Sequence, residues 1–225
     1  MSTPLDDPIQ RHPTRSEQLD ILVTLLAEQT GPGDRVLDLG CGTGYVAQML
    51  LARTPDIRLT GIDVSADALA QVPGNLGPHA ARFDGIAGDL NQLAALGLSG
   101  EKFRAIYTCL TFHDLSHDAK QAVITWSAEH LLPGGYLLIY DRIRLTAPGV
   151  FPLQTNIWQR IERVHGRGMR AAETFADYEA DLGPTNNPAS LSDYLRWMDA
   201  ADLGGACVHL HGNIALFAGA ASSEG

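Results

Sequence analysis

Short apolar runs alternate with amphipathic segments along most of this chain. Helical spacing of leucine, valine and alanine marks the segments between the runs, for example at residues 19–27 and 119–131. The apolar runs predict five buried strands, at residues 36–39, 57–62, 83–87, 103–110 and 136–140. Strands that alternate with helices indicate an α/β fold: one doubly wound, mostly parallel sheet with helices on both faces. Two further alternating segments, 206–210 and 214–218, predict a hairpin that completes a seven-stranded sheet.

A glycine-rich turn follows the first predicted strand. Gly40, Gly42 and Gly44 stand at alternate positions before a predicted helix, where a side chain would block a ligand or forbid a positive φ. The second strand ends in Asp63, 19 residues after Gly44. An acid at about this interval holds the ribose diol in dinucleotide-binding folds. The turn and Asp63 therefore predict a nucleotide-type site at the carboxyl ends of the strands.

The later strand ends continue this ordered series of motifs. It runs through Gly88-Asp89-Leu90, Leu110-Thr111-Phe112-His113 and Leu132-Pro133-Gly134-Gly135. The series resembles the class I S-adenosylmethionine-dependent methyltransferases, closely over residues 34–141 and loosely elsewhere. The resemblance implies the Rossmann-like methyltransferase fold with an antiparallel last strand. It also implies an enzyme that uses S-adenosylmethionine and releases S-adenosylhomocysteine.

The resemblance assigns cofactor contacts to residues at four strand ends. Asp63 would accept both ribose hydroxyls, Asp38 would hold the ammonium end, and Asp89 would accept the adenine amine. A strand-end acid at Asp63 and a turn or capping acid at Asp89 are the structural alternatives. Tyr45 either covers the ligand or packs on the helix that follows. The cofactor-binding set implied in full is Asp38, Gly40, Cys41, Gly42, Gly44, Asp63, Asp89, Leu90, Leu110 and Thr111.

His113 is the candidate catalytic residue. It follows the fourth strand at the mouth of the predicted cleft, and an unperturbed imidazole titrates near neutrality. A base is needed only if the acceptor atom must lose a proton, and a loop histidine that shapes the pocket or caps the next helix is an equal alternative. His113 and His117 have metal-ligand spacing, but a strand-to-helix turn lies between them. We therefore predict no metal site.

Charge and composition guide the expected partners. The net charge is −10, which disfavours broad contact with nucleic acid or anionic lipid. No apolar run approaches the ~20 residues that span a bilayer, and the three cysteines lack a metal pattern. We expect a cytoplasmic protein with reduced thiols, no membrane contact, no nucleic-acid partner, and a monomeric or homodimeric state.

A helical insert is expected to supply the acceptor site of a single domain spanning residues 1–225. The chain begins with an arm and helix (1–31), and the insert (151–203) precedes the last two strands. The insert carries Phe151, Trp158, Tyr178 and Tyr194, which suit a small apolar pocket. Its arginines either fix an anionic acceptor or form a solvated helix face; they are Arg160, Arg163, Arg167 and Arg170.

The predicted function is therefore methyl transfer to a small molecule. Two other classes stay open: a methyltransferase acting on tRNA or protein, and a relative that binds or modifies the cofactor without methyl transfer. Against the first, the Asn/Asp-Pro-Pro-Tyr/Phe motif of amino-methylating members is replaced here by residues 110–113, LTFH. An intact cofactor pocket fits all three classes.

Overall fold

The computed structural model describes residues 15–165 and 172–223. One seven-stranded sheet has the order β3-β2-β1-β4-β5-β7-β6. All neighbouring strands from β3 to β5 are parallel, whereas β7 is antiparallel to both β5 and β6. The strands are β1 (Arg35–Leu39), β2 (Arg58–Asp63), β3 (Phe83–Ala87), β4 (Phe103–Cys109), β5 (Leu131–Arg142), β6 (Gly204–His211) and β7 (Ile214–Ala220). The predicted mostly parallel, seven-stranded sheet is confirmed.

The strand order reverses between β1 and β4. The chain moves outward from β1 through β2 to β3, and then returns to pair β4 with the other side of β1. In open α/β sheets a crevice opens outside the carboxyl ends of the strands at such a reversal. The ends of β1, β2 and β4 therefore lie around one cleft.

Helices cover both faces of the sheet and form two core layers. In β5, Leu137 and Ile139 enter one layer, while Leu138 and Tyr140 enter the other, as the period of two in a strand requires. The helices are α1 (Arg15–Glu28), α2 (Tyr45–Arg53), α3 (Ala66–Leu69), α4 (Val72–Leu76), α5 (His117–His130), α6 (Phe151–His165), α7 (Phe175–Ala180) and α8 (Leu191–Ala200).

Several local predictions need correction. The sequence predicts one short helix after β2, capped by Ser65, that stops at Pro73-Gly74. In the structure this helix ends at Leu69, and α4 then carries Pro73 in its first turn, where a missing N–H costs nothing. The sequence predicts a buried face on α5 with Ala119, Ala122, Val123, Trp126 and Leu131, and of these Ala122 is exposed. Lys120, which the pattern left outside, is fully buried. The predicted N-terminal arm, its capping box at Thr14, and the arginines 167 and 170 lie outside the described residues.

The insert forms the three helices α6, α7 and α8. The sequence predicts a helix that starts at Trp158. Helix α6 instead begins at Phe151, seven residues earlier, with Pro152 in its first turn. Phe151, Trp158 and Tyr178 pack on one another as a small cluster, so much of their surface stabilises the insert itself. Tyr194 instead joins the main core against Phe217 at 4.6 Å between ring centroids. No helix in the described ranges has the length and apolar character to cross a membrane.

Candidate functional site

The glycine turn after β1 is fastened to the end of β2. The N–H groups of Gly40 and Cys41 both donate to the carbonyl of Ile62, at 2.8 and 3.0 Å. Gly40 has φ +79°, and a Cβ there would lie 2.3 Å from Thr111 Oγ1. Gly42 also has a positive φ, but nothing lies within 4 Å of the position of its Cβ. At Gly40 the turn therefore packs tightly against Thr111, which follows β4, whereas at Gly42 there is free space beside the backbone.

Asp63 holds the rim of this turn. One carboxylate oxygen accepts the Gly42 N–H at 2.7 Å, and the other accepts the Ser65 N–H at 2.9 Å. Each oxygen keeps further lone-pair capacity, so two vicinal hydroxyls can still be accepted. The structure thus adds a loop-fastening role for Asp63, and its contact with ribose stays a prediction.

Asp38 lies in the floor of the cleft, below the turn. Its side chain is 2% exposed and accepts a hydrogen bond from the Tyr107 hydroxyl at 2.7 Å. The two residues are register partners on β1 and β4. Burial raises the pKa of Asp38 to about 7, the bond from Tyr107 opposes this, and the charge of Asp63 adds to it. Tyr107 is a site residue that the sequence analysis missed.

The pKa of Asp38 predicts a pH-dependent stability. Aspartate titrates near 4 in an unfolded chain, so the folded protein binds more protons between pH 4 and 7. Asp38 should therefore reduce the free energy of unfolding by about 2 kcal/mol as the pH rises from 5 to 7. Urea unfolding of the wild type and Asp38→Asn at both pH values measures this difference. Equal pH dependence in the two proteins would contradict the prediction.

Asp89 and Leu90 follow β3 at the far side of the cleft. Asp89 caps a 3₁₀ helix (Leu90–Ala95): its Oδ1 accepts the Asn91 N–H at 2.9 Å and the Asn91 amide at 2.7 Å. The capping alternative is thus observed. An adenine contact through the remaining acceptor capacity of this half-buried residue stays a prediction.

The end of β4 turns sharply into the cleft. Leu110 has φ +56°, which is uncommon for a residue with a branched side chain, and its N–H donates to the Tyr140 carbonyl at 2.8 Å. Thr111 Oγ1 then lies 3.3 Å from the Gly40 carbonyl, which it reaches as a donor. This turn brings the glycine loop and the residues after β4 into direct contact.

His113 and Asp141 form a buried pair at the ends of β4 and β5. Asp141 is fully buried; its Oδ1 lies 2.6 Å from His113 Nδ1, and its Oδ2 accepts the His113 backbone N–H at 2.6 Å. A carboxylate can only accept, so Nδ1 carries the proton and Nε2 keeps a lone pair. Nε2 lies 3.7 Å from the carboxylate of Asp114, whose side chain is exposed. In the neutral ring Nε2 is therefore the nitrogen that can act as a base.

The insert closes the side of the cleft next to this pair. The N–H of Asn187 donates to the His113 carbonyl at 2.6 Å, and the N–H of Arg144 donates to the Ala189 carbonyl at 2.8 Å. A cavity of about 520 Å³ lies between the segment that follows β5, the start of α6 and Ser190–Ser192. The insert thus contacts the segments that follow β4 and β5. His113 is not among the residues that line the cavity, so an acceptor site between His113 and the insert stays a prediction.

The histidines of the 113–117 stretch have separate surroundings. His113 lies in a 3₁₀ turn (Phe112–Asp114), whereas His117 opens α5 and its ring lies 5.6 Å from that of Trp197. Within residues 15–165 and 172–223, no group of three or more His, Cys, Asp or Glu side chains is arranged to hold a metal.

Burial raises the pKa of Cys41, which keeps this thiol beside the glycine turn neutral.

Sequence comparison relates the central part of the chain to methyltransferases. Residues 36–135 match a family described as "Methyltransferase domain". The Klebsiella pneumoniae ribosomal RNA small subunit methyltransferase C is 34% identical over 137 residues, which cover 59% of this chain and 39% of that relative. Its Pseudomonas aeruginosa counterpart is 33% identical over 125 residues, which cover 53% of this chain and 36% of that relative. The chain thus spans less than half the length of these relatives.

Solved structures share the fold at low sequence identity. An O-methyltransferase family protein from Burkholderia thailandensis superposes with a TM-score of 0.70 at 17% identity, covering 93% of this chain and 57% of the other. The magnesium protoporphyrin IX methyltransferase of Synechocystis, solved with bound S-adenosylhomocysteine, superposes with a TM-score of 0.64 at 14% identity. The match covers 99% of this chain and 90% of the other. The predicted resemblance to class I methyltransferases and the predicted fold are confirmed.

The curated relatives correct one prediction. We expected a small-molecule acceptor and no nucleic-acid partner, whereas the relatives are named for ribosomal RNA. The expectation rested on the aromatic insert, on the missing Asn/Asp-Pro-Pro-Tyr/Phe motif and on the net charge of the whole chain. That charge is a sum over the surface, and it does not describe the potential at one cleft.

Proposed function

We propose that this chain, which carries a methyltransferase domain at residues 36–135, transfers a methyl group from S-adenosylmethionine to an RNA acceptor. The observation that carries the proposal is the convergence of the glycine turn, Asp38, Asp63 and the His113–Asp141 pair on one end of the sheet. We further propose that residues 1–225 act as one unit, with residues 151–203 on the acceptor side.

The residues present suit the cofactor in shape and charge. The open face at Gly42 admits a ligand against the backbone, and Asp38 offers a buried carboxylate to an ammonium group. Asp63 stands at the rim with acceptor capacity for a diol. When bound, the cofactor supplies an activated methyl group on its sulfonium. Asp89, Leu90, Leu110 and Thr111 complete the proposed contacts.

Removing the carboxylate of Asp63 should weaken cofactor binding. Asp63→Ala should cost roughly 1.5–3 kcal/mol in the affinity for S-adenosylhomocysteine, the scale of a hydrogen bond to a charged group. Isothermal titration calorimetry measures the loss. Asp84→Ala is the matched control, because Asp84 lies on neighbouring β3 with its carboxylate exposed. An Asp63→Ala protein that folds and binds normally would refute the assignment.

His113 is proposed as the proton acceptor. Its Nε2 carries the free lone pair, so it can take the proton that the acceptor atom loses as the new bond to carbon forms. Asp141 then faces a cationic ring and stabilises it. The protein also aligns the acceptor atom with the methyl group. Such alignment can lower the activation barrier by on the order of 7–11 kcal/mol in favourable cases.

The names of the curated relatives support RNA as the acceptor class. Arg142 follows Asp141 directly at the end of β5. Arg144 lies two residues further on, with its guanidinium 3.5 Å from the Glu179 carboxylate. Arg144 lines the cavity beside the insert. Arginine suits phosphate because its planar guanidinium can donate two parallel hydrogen bonds. With a net charge of −10, contact with RNA would be confined to this region of the surface.

Transfer of labelled methyl groups tests the proposal. The purified protein is incubated with S-adenosyl-[methyl-³H]methionine and either small ribosomal subunits or protein-free small-subunit RNA from cells that lack the gene. We expect label in at least one RNA, and loss of label with Asp63→Ala. A protein that binds the cofactor but labels neither RNA refutes the acceptor class. A protein that binds no cofactor refutes the whole proposal.

A further inference from the structure

Lys120 is buried in the interior beside the proposed catalytic pair. It is one of two lysines in the chain, and its side chain has 0% exposure. Its ammonium donates to the carbonyls of Leu115 and Asn187, the second at 2.7 Å. A lysine is almost never fully buried unless it is paired, because the desolvation of its charge is costly. Two backbone carbonyls give Lys120 a defined place in the fold.

Both carbonyls belong to segments that hold His113. Leu115 ends the 3₁₀ turn that contains His113, and its N–H donates to the Phe112 carbonyl. Asn187 lies in the insert, donates its N–H to the His113 carbonyl, and donates its side-chain amide to the Leu115 carbonyl at 3.2 Å. Lys120 therefore closes a hydrogen-bonded ring between α5, the His113 turn and the insert.

We propose that Lys120 is a positioning residue for His113: its ammonium locks the His113 turn to the insert and so fixes where Nε2 stands. This inference rests on the proposed function of His113. Asp141 fixes the ring through Nδ1 and the backbone N–H, while Lys120 and Asn187 fix the backbone on the carbonyl side. The histidine is thus held from two directions, by groups on β5 and by groups on α5 and the insert.

The charge of Lys120 fits this position. Burial lowers the pKa of Lys120 to about 8, against the opposing effects of Asp141 and then Asp114. The side chain therefore remains mostly cationic near neutral pH, and all three of its protons stay available as donors.

Lys120→Met tests the inference, because methionine keeps much of the apolar stem and removes the donors. We expect kcat to fall about 10²-fold, since misplacement of a reacting group by about 1 Å has an effect of this size. The cofactor dissociation constant should stay within about twofold, because Asp38, Asp63 and Asp89, the proposed charged partners of the cofactor, lie on or just after β1, β2 and β3. Lys102→Met is the matched control: Lys102 lies exposed just before β4, and it also donates to a backbone carbonyl, that of Glu129 near the end of α5. Its kcat should stay within about twofold of the wild type.

A double variant separates positioning from general weakening. In a His113→Ala background, Lys120→Met should cause no further loss of kcat, because its effect acts through the imidazole. An equal loss in both backgrounds would show a merely structural lysine and overturn the proposal. If Lys120→Met fails to fold, Asn187→Ala serves instead, because it removes the bond to Leu115 and keeps the backbone bond to His113.

A readout without turnover separates this inference from the proposed function. Nitrogen NMR of the apo protein, with His113 assigned from His113→Gln, should show the Nδ1-protonated tautomer in the wild type. Lys120→Met, or Asn187→Ala, should give mixed tautomers and faster exchange of the His113 amide proton. An unchanged His113 spectrum in both variants overturns the positioning role, even if the wild type transfers methyl groups. A changed spectrum in an inactive wild type supports it, and only the proposed function fails.

Discussion

Replacing Asp141 with asparagine is expected to lower turnover by about 10²–10⁴-fold, the contribution of a positioned general base. Asparagine has a single acceptor oxygen. Placed where Oδ2 lies, it still accepts the backbone N–H of His113, which Asp141 accepts at 2.6 Å, whereas the bond from the Arg142 N–H to Oδ1 is lost. The asparagine amide can also donate to Nδ1, which would place the imidazole proton on Nε2. Nε2 would then be a donor, unable to take a proton from the methyl acceptor.

Steady-state turnover and calorimetry test this expectation together. Affinity for S-adenosylhomocysteine should change by less than about twofold, because Asp141 lies on β5, whereas the proposed charged partners of the cofactor, Asp38, Asp63 and Asp89, lie on or just after β1, β2 and β3. Asp114→Asn removes a neighbouring charge 3.7 Å from Nε2 while leaving the Nδ1 partner in place. Its turnover should stay within about fivefold of the wild type. Comparable losses in both variants would mean that local charge, and not the tautomer of His113, governs the rate.

Gly40→Ala is expected to reduce the free energy of unfolding by about 2–5 kcal/mol. The left-handed conformation at φ +79° costs a residue with a Cβ about 1–2 kcal/mol. The added methyl would also lie 2.3 Å from Thr111 Oγ1 and 2.4 Å from its Cγ2, and overpacking of this kind costs about 1–3 kcal/mol. The turn and the end of β4 would have to separate, so cofactor affinity should fall as well.

Gly42→Ala is the control that isolates the steric part. Gly42 has φ +54°, but its Cβ would meet no atom within 4 Å, so only the backbone cost of about 1–2 kcal/mol applies. Urea unfolding of both variants without ligand gives the two losses. The same small loss at both positions would show that Thr111 moves aside at little cost, and that its contact with Gly40 is not a tight closure.

The cofactor side of the cleft was predictable because its signals are local in sequence. Apolar runs placed the strands, and glycines with strand-end acids marked where a ligand can approach. The sheet then brought Asp38, Asp63 and Asp89 to one edge, as parallel strands require. The roles of these residues toward a ligand remain predictions, because their observed contacts are with the protein itself.

The pairs that hold the site depend on register, which no local pattern reveals. Tyr107 meets Asp38 because β1 and β4 pair residue for residue across 69 positions of sequence. Asp141 meets His113 because β5 ends beside the turn after β4. Once the register is known, both contacts follow from the alternation of side chains along a strand.

Lys120 and the acceptor class were missed for different reasons. Hydrophobic periodicity places a lysine outside, and only the two carbonyls that close around its ammonium allow it inside. The acceptor was inferred in part from net charge, a property of the whole surface, whereas RNA contact can be confined to a few side chains near the cleft.

The hydrogen-bonded ring around His113 also has a consequence for the order of folding. It joins Leu115 to Asn187 over 72 residues and His113 to Asp141 over 28, whereas Gly42 and Asp63 are 21 apart. Closing a longer loop costs more chain entropy, so we expect the glycine turn to form before the ring. Pulse-labelled hydrogen exchange during refolding should then protect the Gly42 amide earlier than that of Asn187. During folding, the chain would then pass through an intermediate in which the glycine turn and Asp63 are already formed, while His113 is not yet held in its final position.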